Sequence, residues 1–505
     1  MLPRALLSAT KCRYFVNRSV GSVSARGVHV YIVAGEPSGD VIGGQLMKRL
    51  KERVSPSTTV TFSGVGGETM LAEGLSNELF PMEDLAVMGI SEVLFKLPKL
   101  LGHANRVAAD IVAKSPDVVV TIDSKGFNFR MLQTLKKRAG PGAAPGGRTA
   151  PPVVHYVSPS FWAYKRNNKS PGDLKHFIDE ILCILPFEEK HYRADAEGVR
   201  ATYVGHPAVE SMLQLTRSLG PTGEVDQDPI DTVRARLSIL RAGARSSYTK
   251  PVREQDGCTD RPQAVPKAFE NIVLFFPGSR IQEVNRALPI MFESLGELVE
   301  RGRRNGDGTP YTVIVQTLSR RSRVGKAVTR YVREQEGKLR ESNIRVRIET
   351  SARGKTAAFA AADAALATSG TVVTELAIGN VPTVVIYPTD ALTGIVAKHL
   401  AKVSYVSIPN IIANKGIIPE ILFEECEDIG LVATNLGEAL SAGKGVVGNG
   451  KGEEKQRAMD TALRQLVVSG IDRLEESHTY SLSSEIAADV VLRQALGTLD
   501  RTLCQ

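Results

Sequence analysis

Asp123, Glu36 and Arg280 are the residues whose type and spacing in this chain best suit chemistry on an anionic substrate. Asp123 ends the apolar run 117–123 (DVVVTID), and an acid there must face either a cleft or a helix cap. In a cleft it is a candidate general base, a role that contributes about 10²–10⁴-fold to a rate. Glu36, Ser38, Gly39 and Asp40 follow the apolar run 28–34, and the two acids either serve a site or cap the helix that starts there. Arg280 follows Gly278 and Ser279 at another helix start. A guanidinium fork beside backbone N–H groups suits a phosphate; the competing reading is a surface ion pair. Ser369, Gly370 and Thr371 form a turn into a short helix, where a hydroxyl can cap and the remaining N–H groups favour an anion. Glu375 lies one turn later, set either for a ribose diol or for solvent. Asn410, polar among Ile408, Pro409 and Ile411, either satisfies backbone groups or touches ligand, and His206 is a turn residue after the last strand of the first half.

Such residues act together only if the chain gathers them. Short, nearly all-apolar runs at 28–34, 59–63, 117–123, 153–158, 180–185 and 201–204 read as strands, with helical patterns between most of them. The alternation restarts at 271–276 and continues through 311–316, 345–349, 364–368 and 381–386. Strand–helix alternation argues for parallel, doubly wound α/β sheets, and runs this apolar are buried on both faces. Ligands of such sheets bind at the carboxyl ends of the strands, where the residues above fall. The expected organisation is a leader (1–27), a first Rossmann-like domain (28–215), a linker and insert (216–267), a second Rossmann-like domain (268–403) and C-terminal helices near the junction (404–505). Residues 85–101 read as a loop with short helical pieces; 140–152 and 242–266 read as irregular inserts.

Composition narrows the class. The 505 residues are 42% apolar and 23% charged, as in ordinary globular proteins, with room for several domains. A net charge of +8 suits phosphates or an acidic membrane surface and is too diffuse to imply nucleic acid. The five cysteines are far apart and no HxxxH or HxH pair occurs, which argues against a disulfide framework or a metal site. Gly64, Gly66 and Gly67 resemble a dinucleotide fingerprint, but Thr69 stands at its last glycine position. Residues 1–35 hold no Asp or Glu but carry Arg4, Lys11, Arg13, Arg18 and Arg26, the composition either of an organellar transit peptide or of a basic tail. No apolar run approaches the roughly 18 residues of a membrane span, so any membrane association is expected to be peripheral.

Eight segments, in order along the chain, carry a family resemblance: AGEPSGD (34–40), AVMGISEVL (86–94), HYVSPSFWA (155–163), LPFEE (185–189), VGHP (204–207), FPGSRIQEV (276–284), TSGT (368–371) with Glu375, and YVSIPN (405–410). The chain resembles the lipid A disaccharide synthases, inverting nucleotide-sugar glycosyltransferases of the two-domain GT-B architecture. The resemblance implies transfer of a diacylated glucosamine from its UDP donor to the 6-hydroxyl of diacylglucosamine 1-phosphate, with release of UDP. It also implies a peripheral seat on a membrane, no cofactor and no metal. By motif, Asp123 is the base, with Glu36, Arg280 and Asn410 as further catalytic residues. Gly278, Ser279, Arg280, Ser369, Gly370, Thr371 and Glu375 fall on the nucleotide side, and Ser38, Gly39, Asp40, Met88 and Gly89 on the acceptor-side loops. With the leader, an organellar eukaryotic version is implied, mitochondrial or plastid; a homodimer stays open. The competing functions are a UDP-sugar epimerase or a transferase to another acceptor on the same fold, and a catalytically weak descendant that binds UDP-sugar or lipid. One departure bears on them. Where the family reads Ile-Asp-x-Pro-Asp-Phe-Asn, this chain reads IDSKGFN (122–128), so Lys125 and Gly126 replace a Pro-Asp pair beside the base. Either acceptor handling has changed or activity is reduced.

Overall fold

A computed structural model of the chain describes residues 27–76, 79–85, 90–139, 150–163, 171–193, 198–217, 228–249, 270–317, 319–388, 402–422, 425–426, 428–444, 450–469 and 480–503. The apolar runs form strands. In the first half these are β1 (Val28–Ala34), β2 (Val60–Val65), β3 (Leu75–Ser76), β4 (Val118–Ile122), β5 (Val153–Tyr156), β6 (Glu180–Cys183) and β7 (Arg200–Tyr203). They make one parallel sheet in the order β3-β2-β1-β4-β5-β6-β7. The second sheet, also parallel, contains β8 (Asn271–Phe276), β9 (Tyr311–Gln316), β10 (Ile344–Glu349), β11 (Ala364–Thr368), β12 (Thr383–Tyr387) and β13 (Glu420–Leu422). Its order is β10-β9-β8-β11-β12-β13.

Both orders reverse direction once, between β1 and β4 in the first sheet and between β8 and β11 in the second. The crevice of a doubly wound sheet opens at that switch point. Glu36 follows β1, Asp123 follows β4, Arg280 follows β8 and Ser369 follows β11. All four therefore stand where these sheets are built to hold a ligand.

Helices cover both faces: α1 (Pro37–Arg53), α2 (Glu68–Ala72), α3 (Ile90–Lys114), α4 (Lys125–Ala139), α5 (Glu188–Arg193), α6 (Pro207–Arg217) and α7 (Pro229–Thr249). The second half adds α8 (Ile281–Arg304), α9 (Arg323–Glu334), α10 (Glu336–Glu341), α11 (Ala352–Ala361) and α12 (Thr371–Ile378). Among the described residues, the helices Ile408–Ala413, Ile429–Gly443, Gly450–Arg464 and Ser483–Leu503 follow. α1 begins with proline at its first turn, where the missing N–H is not needed and the fixed φ suits a helix.

Three expectations change. The loop expected over 85–101 is, from Ile90, the first part of a single helix that contains Pro98. Leu100, Ala104, Val107, Ala108 and Ile111 keep an apolar stripe buried on helical spacing, and that burial outweighs the one hydrogen bond proline removes. Residues 242–249, expected to be irregular, finish α7, with Ala244 and Tyr248 in the core. The second sheet runs past residue 403, because β13 pairs with β12.

The last helix also goes elsewhere than the domain junction. Ser483–Leu503 packs Ala487, Ala488, Val491 and Ala495 into the core of the first sheet. Glu210 of α6 accepts Ser484 Oγ at 2.6 Å and Ser484 N at 3.0 Å, fixing the start of that helix. Arg493 donates to both oxygens of Glu180 on β6, at 2.8 and 2.9 Å.

Candidate active site

Asp123 sits on a strained turn. It and Ser124 both adopt left-handed backbone, with φ of 47° and 45°, and Val157 at the end of neighbouring β5 has φ of 74°. Left-handed backbone is uncommon outside glycine, and for a β-branched valine it is an outlier that the surroundings must enforce. Asn128 supplies part of that enforcement. Wholly buried, it donates Nδ2 to the carbonyl oxygens of Asp123 at 2.8 Å and Ile122 at 3.3 Å. Asp123 N donates to Tyr156 O, and Phe127 N and Asn128 N donate to Ser124 O, each at 2.9 Å. Across from this turn, Gly35 packs closely on it, since a Cβ there would lie 2.4 Å from Ser124 Oγ and force that side chain to move. The loops after β1 and β4 thus touch, bringing Glu36 and Asp123 into one field.

Arg280 joins them from the other sheet. Its Nη2 donates to Glu36 Oε1, an ion pair between residues that follow β1 and β8. Its Nη1 donates to Glu283 Oε1 at 2.8 Å, and Glu283 Oε2 takes Ser279 N at 2.9 Å and Arg280 N at 3.2 Å. The guanidinium is held before any ligand arrives. Gly278, at φ 110°, allows this packing; a Cβ would stand 2.3 Å from Glu283 Oε2.

Burial raises the Asp123 carboxyl above its ordinary range, against the pull of the Ser124 backbone N–H, Arg280 and Lys125. Burial also raises Glu36; Arg280 opposes this, and the charge of Asp123 adds to it. Two carboxyls with one shared cation, at the ends of two sheets, form a set able to take a proton on one side and to meet negative charge on the other.

Three more expected residues lie at the β11–α12 turn. Ser369 Oγ donates to Val406 O at 3.3 Å, Gly370 is the N-cap of α12 and Thr371 its first residue. A Cβ on Gly370 would meet nothing within 4 Å, so open space lies against this backbone. Glu375 is 8% exposed and its Oε2 receives Lys355 Nζ at 2.7 Å, so it is neither solvated nor free to turn fully to a ribose.

Other expectations are corrected. Asn410 is fully buried and spends its amide on the protein: Nδ2 donates to Ile418 O and Glu420 Oε1, both 2.8 Å, and Oδ1 accepts Ile417 N and Ile418 N, both 2.9 Å. Its amide is fully engaged by backbone groups and the Glu420 carboxylate. Asp40 likewise caps α2, accepting Gly67 N at 2.7 Å, Thr69 N at 2.9 Å and Met70 N at 3.0 Å. Asp40→Ala strands these donors and should lower stability by about 1–3 kcal/mol in chemical denaturation, with kcat of the folded fraction unchanged. Gly39 is packed on Ala34 and Ile122, and half-buried Ser38 stands beside it in the first turn of α1. Met88 and Gly89 lie outside the described residues. His206 caps α6, its Nδ1 accepting Ala208 N at 3.1 Å, and burial pushes it down to about 4.

Glu283, Asn128, Lys355 and Glu188 were not singled out from the sequence. Glu283 had a signal: it stands three residues after Arg280, the capping-box spacing. Glu188, within the 185–189 segment, accepts Trp162 Nε1 at 3.1 Å, Ile184 N at 3.2 Å and Leu185 N at 3.1 Å, and burial raises it to about 7. Ala163, beside that tryptophan, accepts Lys402 N at 2.8 Å, another bond between the halves.

Comparison with known proteins shows the family of the chain. The family model described as lipid-A-disaccharide synthetase matches residues 30–247 and 254–470. "Probable lipid-A-disaccharide synthase, mitochondrial" of Arabidopsis thaliana is 35% identical over 477 residues, covering 93% of this chain and 91% of that protein. The lipid-A-disaccharide synthase of Paramagnetospirillum magneticum is 33% identical over 406 residues, covering 80% of this chain and 86% of its own. Among solved structures, Acinetobacter baumannii MurG aligns with TM-score 0.40 at 13% identity, covering 92% of this chain and 99% of its own. UDP-GlcNAc 2-epimerase from Neisseria meningitidis, bound to UDP-GlcNAc, aligns with TM-score 0.48 at 10% identity, covering 93% and 100%. A family model that spans both sheets, with relatives above 30% identity along most of their length, leaves one conclusion: the chain belongs to the lipid-A-disaccharide synthase family.

Proposed function

We propose that Asp123 is the general base of an inverting glycosyl transfer that forms lipid A disaccharide 1-phosphate from UDP-2,3-diacylglucosamine and 2,3-diacylglucosamine 1-phosphate. The observation that carries the site assignment is the Glu36–Arg280 ion pair, which joins the two switch points with Asp123 in its field. In the reaction, Asp123 takes the proton of the acceptor 6-hydroxyl as its oxygen attacks the anomeric carbon from the face opposite UDP. The bond to the diphosphate breaks and UDP leaves with the electron pair. Arg280 and the first N–H groups of α12 meet the charge that develops there. Glu36 and Glu283 hold Arg280 in place, so little reorganisation is needed when the diphosphate arrives.

The acceptor lies against the first domain, near Asp123 and Lys125. The lipid chains need a surface, and the proposed seat is peripheral. No helix among the described residues is long and apolar enough to cross a membrane. Leu101 of α3 is 44% exposed with Lys99 close by, and α9 turns Arg323, Lys326, Arg330 and Arg333 outward. Exposed apolar and cationic side chains suit an anionic bilayer. The acid-free basic leader, together with a relative named mitochondrial, supports a mitochondrial address.

The test is mass spectrometry of the products when the chain without residues 1–27 is given both acylated sugars, in detergent and in anionic vesicles. Disaccharide and free UDP in equal amounts are expected, with faster turnover on vesicles. Absence of both products would sink the reading. Equal rates in the two media would remove the membrane seat.

A further inference from the structure

Glu420, the first residue of edge strand β13, is ringed by donors. Its Oε1 accepts Ser407 N at 2.9 Å, Ser407 Oγ at 2.5 Å and Asn410 Nδ2 at 2.8 Å. Its Oε2 accepts Val406 N at 2.9 Å. Four donors converge on two oxygens, a task a carboxylate can meet and a carboxamide cannot, because an amide would aim its own N–H groups at one of the donors. Asn410 completes the frame, binding Glu420 on one side and the backbone of Ile417 and Ile418 on the other.

The frame leads to the nucleotide side. Val406, whose N–H is held by Glu420, offers its carbonyl to Ser369 Oγ at 3.3 Å. Ser369 immediately precedes Gly370, the cap of α12. A continuous run of bonds therefore links the carboxylate on β13, through the 406–407 loop, to the turn that borders the cleft. Hydrogen bonds in such a series orient one another, and removing one end frees the far hydroxyl to rotate.

We propose that Glu420 is a positioning residue for the UDP-sugar donor, acting through Val406 to hold the Ser369 hydroxyl and the 369–371 turn in their binding geometry. This rests on the donor site proposed above. Glu420 itself touches neither substrate nor reacting atom. Asn410, bonded to Glu420 within the same frame, shares that positioning role.

The experiment uses the full chain lacking only the leader, and reads UDP affinity by calorimetry, donor KM and kcat, and the melting temperature. Glu420→Gln should raise the UDP Kd and the donor KM by about tenfold with kcat within about twofold, the signature of lost binding rather than lost chemistry. Ser369→Ala should produce the same loss, and the double variant should add little to either, because both cut one relay. Ser407→Ala removes a single bond to Glu420 and should shift KM in the same direction by less; it carries the test should Glu420→Gln fail to fold. An unchanged UDP Kd with a lowered melting temperature would overturn the proposal, leaving Glu420 a staple only. Fully additive effects would also overturn it. Failure of the unmutated chain to bind UDP would instead remove the donor site, and the inference with it.

Discussion

Asp123→Asn should lower kcat by about 10²–10⁴-fold while leaving UDP affinity and folding intact. The choice of asparagine matters. Position 123 has φ of 47°, and asparagine is among the few residues that adopt this conformation readily, whereas alanine would add backbone strain to the loss of the carboxylate. Asparagine keeps the size and the turn and loses only the proton acceptor. The pH profile supplies a second check. Because burial raises the Asp123 carboxyl, the base is protonated and idle at pH values where an exposed carboxylate would already be charged. Turnover should therefore rise with pH through an inflection above the ordinary aspartate range, and the variant should lack that inflection. Full activity in Asp123→Asn would end its assignment as the base.

Arg280→Lys should be nearly as damaging as removal of the side chain, by about 10²–10³-fold in kcat, comparable to losing one preorganised donor of a charge-stabilising site. The charge survives but the fork does not. An ammonium on a flexible stem cannot donate at once to Glu36 on one side and to Glu283 on the other while presenting a planar face to a diphosphate. Glu36→Gln offers a graded comparison: it keeps the shape and weakens the hold on Arg280. If Glu36 acts only by holding Arg280, then Glu36→Gln combined with Arg280→Lys should be no worse than Arg280→Lys alone. Near-normal turnover of Arg280→Lys would mean that the leaving diphosphate is stabilised elsewhere, with the helix termini the remaining source.

The sequence was most legible where a single property repeats along the chain. Apolar runs located the parallel strands, and polar residues at or just after the end of a run had to lie at a strand end, which is how Asp123 and Arg280 could be found. What remained hidden depended on partners distant in sequence. Asp40 looked like a cap for its own helix because nothing nearby shows that the N–H groups of Gly67, Thr69 and Met70 will converge on it. Glu375 looked free because Lys355 lies twenty residues away, on another helix. Asn410 was seen to be polar among apolar neighbours, but whether such a residue meets ligand or backbone depends on β13, a three-residue strand too short for a pattern. Pro98 misled for another reason: a local rule for breaking helices yielded to burial that only the tertiary fold supplies.

The return of Ser483–Leu503 to the first sheet makes this a protein whose first-made half is finished last. Strands β1 to β7 leave the ribosome well before the helix that fills their core with Ala487, Ala488 and Val491, and that roofs Glu180 with Arg493. Until those final residues emerge, the amino-terminal sheet carries an uncovered apolar face and a buried-type glutamate without its cation, so it cannot reach its native stability alone. The long separation between these contacts also slows their formation, since the whole second half must be spanned first. Loss of the helix Ser483–Leu503 would then be felt first not in the second domain, to which it is adjacent in sequence, but in the amino-terminal sheet whose core it completes.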